Sequence, residues 1–131
     1  MGSPSLKAIL DTSVLIATDV PRLDGELAIS SASLAELHFG VLVTTDGAVR
    51  AERLRRLSDF QRRFDALPVD EEVATSYGQL AAAVAATGRQ PRSRVMDLLI
   101  AATAHAHSAR LYTRNAADLA GVEHLIDIAP V

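Results

Sequence analysis

Short apolar runs alternate along the chain with longer segments in which apolar residues recur at helical spacing. Residues 7–11 and 27–30 are short and apolar and end in a polar residue, as buried strands do. Residues 31–43 instead carry apolar side chains at three- and four-residue steps, which predicts a helix. The pattern thus begins with a strand, a second strand and a helix.

An amphipathic helix is predicted over residues 48–67, where apolar side chains at three- and four-residue steps are separated by charged ones. Its apolar face consists of Leu54, Leu57, Phe60, Phe64 and Leu67. Asp70 is a typical N-cap for the next helix, and Gly88 is a typical stop. Two helices therefore follow one another in the middle of the chain.

The last third of the chain repeats the alternation. An Ala-rich helix is predicted over residues 95–107, a strand over 110–113, a helical turn over 116–119 and a final strand over 124–128. Strands that alternate with helices form a parallel sheet with helices on both faces. We expect an α/β fold in a single domain over residues 1–131, with residues 1–5 disordered or an expression remnant.

Composition narrows the class of protein. The 131 residues contain 49% hydrophobic residues and no cysteine, which excludes a disordered chain, a disulfide framework and a thiolate metal site. No apolar run approaches the roughly 20 residues of a membrane span. We therefore expect a cytoplasmic protein. The net charge of -3 gives no general basic field, so any contact with nucleic acid must be local or involve a metal ion among carboxylates.

Several polar residues fall where strands end or where the following helices begin. Ligands bind beyond the carboxyl ends of the strands in open parallel sheets, and helices that follow strands start at that same end. Asp11 and Thr113 close two of the predicted strands, and Asn115 follows Thr113. The four carboxylates of Asp11, Glu36, Asp97 and Asp118 are therefore candidates to converge at this end of the sheet.

Each acid also has a purely structural interpretation. Asp11 could cap a short helix, and Glu36 lies three residues after Ser33, at the spacing of a capping box. Asp97 near a helix start would suit the helix dipole, and Asp118 could be an ordinary turn residue. The residues taken singly leave both interpretations open.

Four segments in this order resemble the PIN-domain ribonucleases, and within them the VapC toxins of bacterial toxin–antitoxin pairs. They are LDTSVLI at 10–16, SLAELHFG at 33–40, MDLLIAATA at 96–104 and YTRNAADL at 112–119. The resemblance spans residues 9–128. It implies a PIN-like α/β domain with metal-dependent endoribonuclease activity.

The resemblance also implies roles for the six residues. Asp11 and Asp97 would be the primary ligands of Mg²⁺ or Mn²⁺, with Glu36 and Asp118 completing the acidic pocket. Thr113 and Asn115 would orient water or phosphate there. Carboxylate oxygens suit these hard cations, and Mg²⁺ usually binds one or two carboxylates while keeping several waters.

Partners follow from the same resemblance. It implies an RNA substrate, a homodimer, and a small VapB-like antitoxin that covers the pocket in a heterotetramer or larger assembly. The apolar helix faces around Leu37, Val41, Leu54 and Leu57 are the candidate groove for that antitoxin.

Alternatives remain at this point. The domain could be a non-enzymatic PIN-like protein-binding module, or a nuclease that acts on DNA. Arg89, Arg92 and Arg94 could bind RNA phosphates beside Asp97 or form a solvated loop. The arginines of residues 50–63 are more typical of a solvated helix face than of an RNA-binding surface.

Overall fold

The structure is a computed structural model that describes residues 6–131, so the prediction for residues 1–5 lies outside the described residues. Five strands form one sheet, in the order β3-β2-β1-β4-β5, and every neighbouring pair is parallel. The strands are β1 (Lys7–Leu10), β2 (Glu26–Ser30), β3 (Asp65–Leu67), β4 (Arg110–Thr113) and β5 (Ile128–Pro130).

Five α-helices connect the strands. They are α1 (Thr12–Leu15), α2 (Ser31–Val43), α3 (Gly47–Arg63), α4 (Glu71–Ala86) and α5 (Val95–Ala106). There are also two 3-10 turns. Pro91–Arg94 precedes α5, and Ala116–Leu119 follows β4. The predicted α/β class with a parallel sheet is confirmed, as are the bounds of α2 and β4. The predicted N-cap of α4 is also confirmed, because the Asp70 side chain accepts a hydrogen bond from the Val73 amide.

Helices cover both faces of the sheet, because alternate residues of the central strand enter two different hydrophobic cores. Ile9 packs into the core built with α4 and α5, whereas Ala8 and Leu10 pack into the core that includes α1 and the buried Phe60 of α3. All three β1 side chains are at most 4% exposed. A strand buried on both faces has no solvated side, which explains its uninterrupted apolar sequence.

Strand order changes direction between β1 and β4. The chain runs outward from β1 through β2 to β3, and later enters β4 on the other side of β1. The carboxyl ends of two adjacent strands at such a switch point frame a crevice in which ligands bind. Here these ends are Leu10, followed by Asp11, and Thr113.

Two element predictions are wrong at the sheet edges. The predicted helix over 48–67 ends at Arg63, and Asp65–Leu67 instead forms β3, which pairs with β2 at Ala28–Ser30. The predicted strand over 124–128 is displaced to Ile128–Pro130. Ile126 turns into the core before that strand begins, and the amide of Leu111 bonds to the carbonyl of Asp127.

The arginines of α3 do more than form a solvated face. Arg53 donates to the carbonyl of Gly40, and Arg50 donates to that of Thr44 at 2.8 Å, both at the carboxyl end of α2. Arg56 donates to the carbonyl of Leu15 at the end of α1. Cationic side chains stabilise helix carboxyl ends because the last carbonyls have no intrahelical partner. The α3 arginines therefore tie α3 to two other helices.

Within residues 6–131, no helix combines the length and the apolar character that crossing a membrane requires.

Candidate active site

Asp11 lies at the switch point, with its side chain held by hydroxyl groups from two loops. Its Oδ2 accepts hydrogen bonds from Ser13 Oγ at 2.6 Å and from Thr113 Oγ1 at 2.9 Å. Asp11 is only 7% exposed, and its side chain makes no helix-capping bond. Asp11 occupies the N-cap position of α1, but its carboxylate makes no capping bond there and is instead held by the hydroxyls of Ser13 and Thr113.

The Thr113 hydroxyl joins the loops that follow β1 and β4. Besides donating to Asp11, Thr113 Oγ1 accepts a bond from the Asn115 amide at 3.0 Å, and Ser13 Oγ accepts one from the Arg114 amide at 3.0 Å. Thr113 is 1% exposed, so a rigid buried hydroxyl sets the Asp11 carboxylate. Asn115 contributes its backbone amide to this network, and its side chain is exposed.

Asp11 keeps one oxygen available. Both hydrogen bonds described for its carboxylate fall on Oδ2. Within residues 6–131, every fully buried side-chain oxygen or nitrogen has a hydrogen-bond partner. Oδ1 therefore retains contact with solvent, as a cation ligand must.

Glu36 lies in the second turn of α2 and is bound to the loop after β1. Thr12 Oγ1 donates to Glu36 Oε1 at 2.7 Å and lies 3.0 Å from Ser33 Oγ. The predicted alternative, a capping box with Ser33, is wrong because Ser30 is the N-cap of α2 and Ser33 is buried within the helix. Glu36 is consequently free of a capping role.

Asp97 occupies the first turn of α5, where the negative charges of the other three acids act on its carboxyl group. Partial burial raises the pKa of Asp97 above its ordinary value, and the charges of Asp11, Asp118 and Glu36 raise it further. The Arg94 guanidinium opposes this effect. A helix N-terminus by itself favours the ionised form of a carboxyl. Since the pKa rises, burial and like charges outweigh that favourable dipole.

Asp118 lies in the 3-10 turn after β4 and forms an ion pair that the sequence pattern does not predict. Arg94 Nη2 lies 3.2 Å from Asp118 Oδ1, and both side chains are partly exposed. Arg94 is also the residue at the N-cap position of α5, where it makes no capping bond. The basic segment before α5 indicated that an arginine there could bind an anionic group. Nothing in the sequence indicated that this group is Asp118.

The charges of Asp11, Glu36 and Asp118 act on Asp97, but the four acids do not form a closed cage. Among residues 6–131, no group of three or more Asp, Glu or His side chains is tight enough to hold a metal ion alone. Glu36 and Asp118 are each engaged by a neighbour, Thr12 or Arg94. The donor set still fits Mg²⁺ or Mn²⁺, because such ions bind hard oxygens and Mg²⁺ keeps most of its water.

The chain is similar in sequence to known proteins of one family. The PIN domain family matches residues 8–123. The chain is 34% identical over 121 residues to ribonuclease VapC5 of Mycobacterium tuberculosis, covering 88% of this chain and 87% of that protein. It is 37% identical over 100 residues to ribonuclease VapC8 of the same species, covering 73% of this chain and 88% of that protein.

Solved structures show the same fold. The crystal structure of VapBC-5 from M. tuberculosis, a toxin–antitoxin system, superposes with a TM-score of 0.79 at 32% identity and covers 95% of this chain and 97% of that one. A DNA-bound VapBC from Salmonella typhimurium gives a TM-score of 0.73 at 26% identity and covers 95% and 98%. On its fold, its acidic edge and these relatives, the chain belongs to the PIN-domain family.

Proposed function

We propose that the protein is the toxin of a type II toxin–antitoxin pair and acts as a Mg²⁺- or Mn²⁺-dependent endoribonuclease. The observation that carries this proposal is the acidic edge at the switch point, where burial and three carboxylates raise the pKa of Asp97. Such an excess of negative charge disfavours the fold unless a cation compensates it. The relatives named ribonuclease VapC support the same activity.

Asp11 and Asp97 are the proposed primary ligands. Asp11 presents one solvent-accessible oxygen while Ser13 and Thr113 restrain the other. Asp97 is partly buried and lies among the other acids, and its carboxylate is not a helix cap. Hydroxyl groups fix the Asp11 carboxylate, and the surroundings of Asp97 disfavour its ionised form. Binding of a cation between the two would relieve this penalty.

Glu36 and Asp118 flank this pair in the proposed site. Thr12 fixes the Glu36 carboxylate through Oε1 and leaves Oε2 for water. Asp118 is paired with Arg94 at 3.2 Å, and its carboxylate would add a further oxygen ligand beside the ion. Thr113 and Asn115 act by position: the Thr113 hydroxyl orients Asp11, and the Asn115 amide orients Thr113.

A bound divalent ion would neutralise charge on the phosphoryl group and lower the pKa of a nearby water, which is the chemistry of phosphodiester hydrolysis. The chain supplies the orientation of that reaction. Because hydrogen bonds join α1 to the end of β4 around Asp11, the Asp11 carboxylate is oriented before RNA binds. Restrained groups cost less reorganisation at the moment of reaction.

Incubation of the purified protein with structured RNA, single-stranded DNA and double-stranded DNA tests the activity. We expect Mn²⁺-dependent cleavage of RNA that EDTA abolishes, with end-mapped fragments showing internal cuts. Preferential cleavage of DNA would support the DNA-nuclease alternative. Absence of cleavage from every substrate at saturating Mn²⁺ would support the non-enzymatic binding module.

The antitoxin surface is proposed beside the same pocket. A cavity of about 450 Å³ has Leu37, Leu57 and Phe60 in its lining, together with the polar residues Thr12, Glu36, Arg53 and Arg56. Leu54 on α3 is 51% exposed, whereas Val41 and Leu57 are only 7% and 2% exposed. Burial therefore removes Val41 from the predicted contact face and leaves Leu57 only as part of the cavity floor. An amphipathic partner segment seated there would end at the acidic edge, where a partner arginine would pair with carboxylates.

This assembly makes a physiological prediction. Expression of the wild-type chain should arrest growth, and co-expression of a small neighbouring gene product should relieve the arrest. The pair should co-purify as a complex that contains two copies of this chain. Colony counts after induction measure the effect; normal growth at verified levels of active enzyme would contradict the role as a toxin.

A further inference from the structure

A second cavity lies between the end of α4 and the 3-10 turn before α5, and Asp118 is part of its lining. Its volume is about 320 Å³, which falls within the range of roughly 300–1,000 Å³ typical of small-ligand sites. It is lined by Val84, Gly88, Arg89, Gln90, Ser93, Arg94, Asp118 and Ala120. This cavity is distinct from the apolar cavity on α2 and α3.

The lining of this cavity matches the parts of a nucleotide. Val84, which is 4% exposed, and the partly buried Ala120 form a small apolar floor for a base, and the Gln90 side chain offers both donor and acceptor groups. Arg89 and Arg94 add two guanidinium groups, which bind phosphate oxygens through paired N–H donors. The lining holds two guanidiniums against the single carboxylate of Asp118, so its net positive charge favours an anionic occupant.

The shape of the basic segment is built into the fold. Ser93 Oγ donates to the carbonyl of Gln90 at 2.9 Å, and the Ser93 amide bonds to the same carbonyl at 3.3 Å. These bonds close the turn and hold Arg89 and Arg94 on the same cavity. Gly88 permits the reversal after α4 through its φ of 84°.

Arg94 connects this cavity with the acidic edge. Its Nη2 contacts Asp118 at 3.2 Å, yet its side chain remains 44% exposed. A guanidinium carries five N–H donors, so the Asp118 contact leaves others for a phosphate. Arg89 is exposed, and within residues 6–131 it enters none of the ion pairs that the structure shows. Its charge is thus available to a ligand.

We propose that this cavity is a nucleotide subsite that holds the ribonucleotide next to the cleaved phosphate of a single-stranded RNA segment. The proposal rests on the proposed ribonuclease function and adds to it the direction in which the RNA leaves the acidic edge. Arg94 binds the phosphate nearest Asp118, and Arg89 binds the next one. The base lies against the apolar floor formed by Val84 and Ala120.

The cavity requires an RNA whose bases are unstacked. A base paired within an A-form helix is stacked between its neighbours and cannot enter a pocket, whereas loop nucleotides can be turned outward. The subsite therefore selects loops or single strands, and it does so through backbone charge and shape rather than through a dense set of base contacts.

Arg89→Ala is the most informative variant, because Arg89 touches the cavity but not the acids. Binding of a short fluorescent single-stranded RNA is measured by anisotropy in EDTA at several salt concentrations. Loss of one phosphate contact should lower the slope of log K against log salt by about 0.7. We expect affinity to fall about tenfold, and Arg89→Lys to restore the slope.

The matched control is Arg62→Ala, which removes the same charge from an exposed residue of α3 whose ion pair within residues 6–131 is with Asp59. It should leave the affinity and the salt slope at wild-type values. In the cleavage assay with Mn²⁺, Arg89→Ala should raise KM about tenfold and change kcat less than about twofold, as expected for a contact made equally in ground and transition states.

The outcomes separate the subsite from the ribonuclease activity. If Arg89→Ala and Arg62→Ala bind RNA equally, with equal salt slopes, the subsite is refuted whether or not the protein cleaves RNA. If the wild type binds RNA through Arg89 in EDTA but never cleaves it with Mn²⁺, the subsite is supported and the proposed catalytic function fails. Failure of the wild type to bind the RNA also refutes the subsite.

Discussion

Asp97→Asn is expected to reduce RNA cleavage by at least about a thousandfold while the protein stays folded. Asparagine preserves the size of the side chain but removes the negative charge that a divalent cation requires. Loss of several kcal/mol of metal-assisted transition-state stabilisation corresponds to a rate change of that order. EDTA added to the wild type should produce the same loss. Initial cleavage rates with Mn²⁺ measure both effects.

The control for this variant is Asp59→Asn, which makes the same change on α3, where Asp59 is partly exposed and paired with Arg62 and Arg63. Its cleavage rate should stay within about twofold of the wild type, since exposed ion pairs contribute little. Undiminished, EDTA-resistant cleavage by a folded Asp97→Asn protein would refute a catalytic role for the acidic edge.

The same substitution should have the opposite effect on stability when no metal is present. The pKa of Asp97 is raised in the folded protein, so the folded state holds its proton more tightly than the unfolded chain does. This contribution to stability is fully present below the ordinary value of 3.8 and is lost as pH rises through the raised pKa. At neutral pH the ionised Asp97 therefore destabilises the fold.

Asp97→Asn removes that penalty, so in EDTA at neutral pH it should melt at or above the wild-type temperature. Below about pH 4 the two proteins should converge, because wild-type Asp97 is then neutral as well. Mn²⁺ at about 100 times its dissociation constant should add roughly 2.7 kcal/mol to the wild type and much less to the variant. A strongly destabilised variant in EDTA, with equal gains from Mn²⁺, would instead make Asp97 a structural residue of the helix start.

The sequence predicted those elements whose own residues contain their start and stop signals. Asp70 caps α4 and accepts the Val73 amide, and the bounds of α2 coincide with the apolar spacing of residues 31–43. The edge strand β3 could not be predicted in this way. Phe64 and Leu67 continue the helical spacing of α3, and only pairing with β2 makes residues 65–67 extended.

The site shows the same division. Asp11 and Thr113 were predictable because strand ends meet at one edge of a parallel sheet. The bond from Thr12 to Glu36 joins residues 24 positions apart, and the Arg94–Asp118 pair joins the start of α5 to the turn after β4. The spacing of apolar residues along the chain carries no information about such contacts, since they depend on how the helices pack against the sheet.

The most direct test of the central claim, that a divalent cation binds at the acidic edge, is paramagnetic broadening of backbone amide signals by Mn²⁺. Binding there should broaden the amides of Asp11, Asp97 and Thr113 at substoichiometric Mn²⁺, and Asp97→Asn should abolish this selectivity. Glu26 and Asp65, which line a cavity with Lys7 where β1, β2 and β3 begin, serve as the acidic control and should stay sharp. Equal broadening at both ends of the sheet, or stronger broadening at Glu26 and Asp65, would contradict a metal site at the acidic edge.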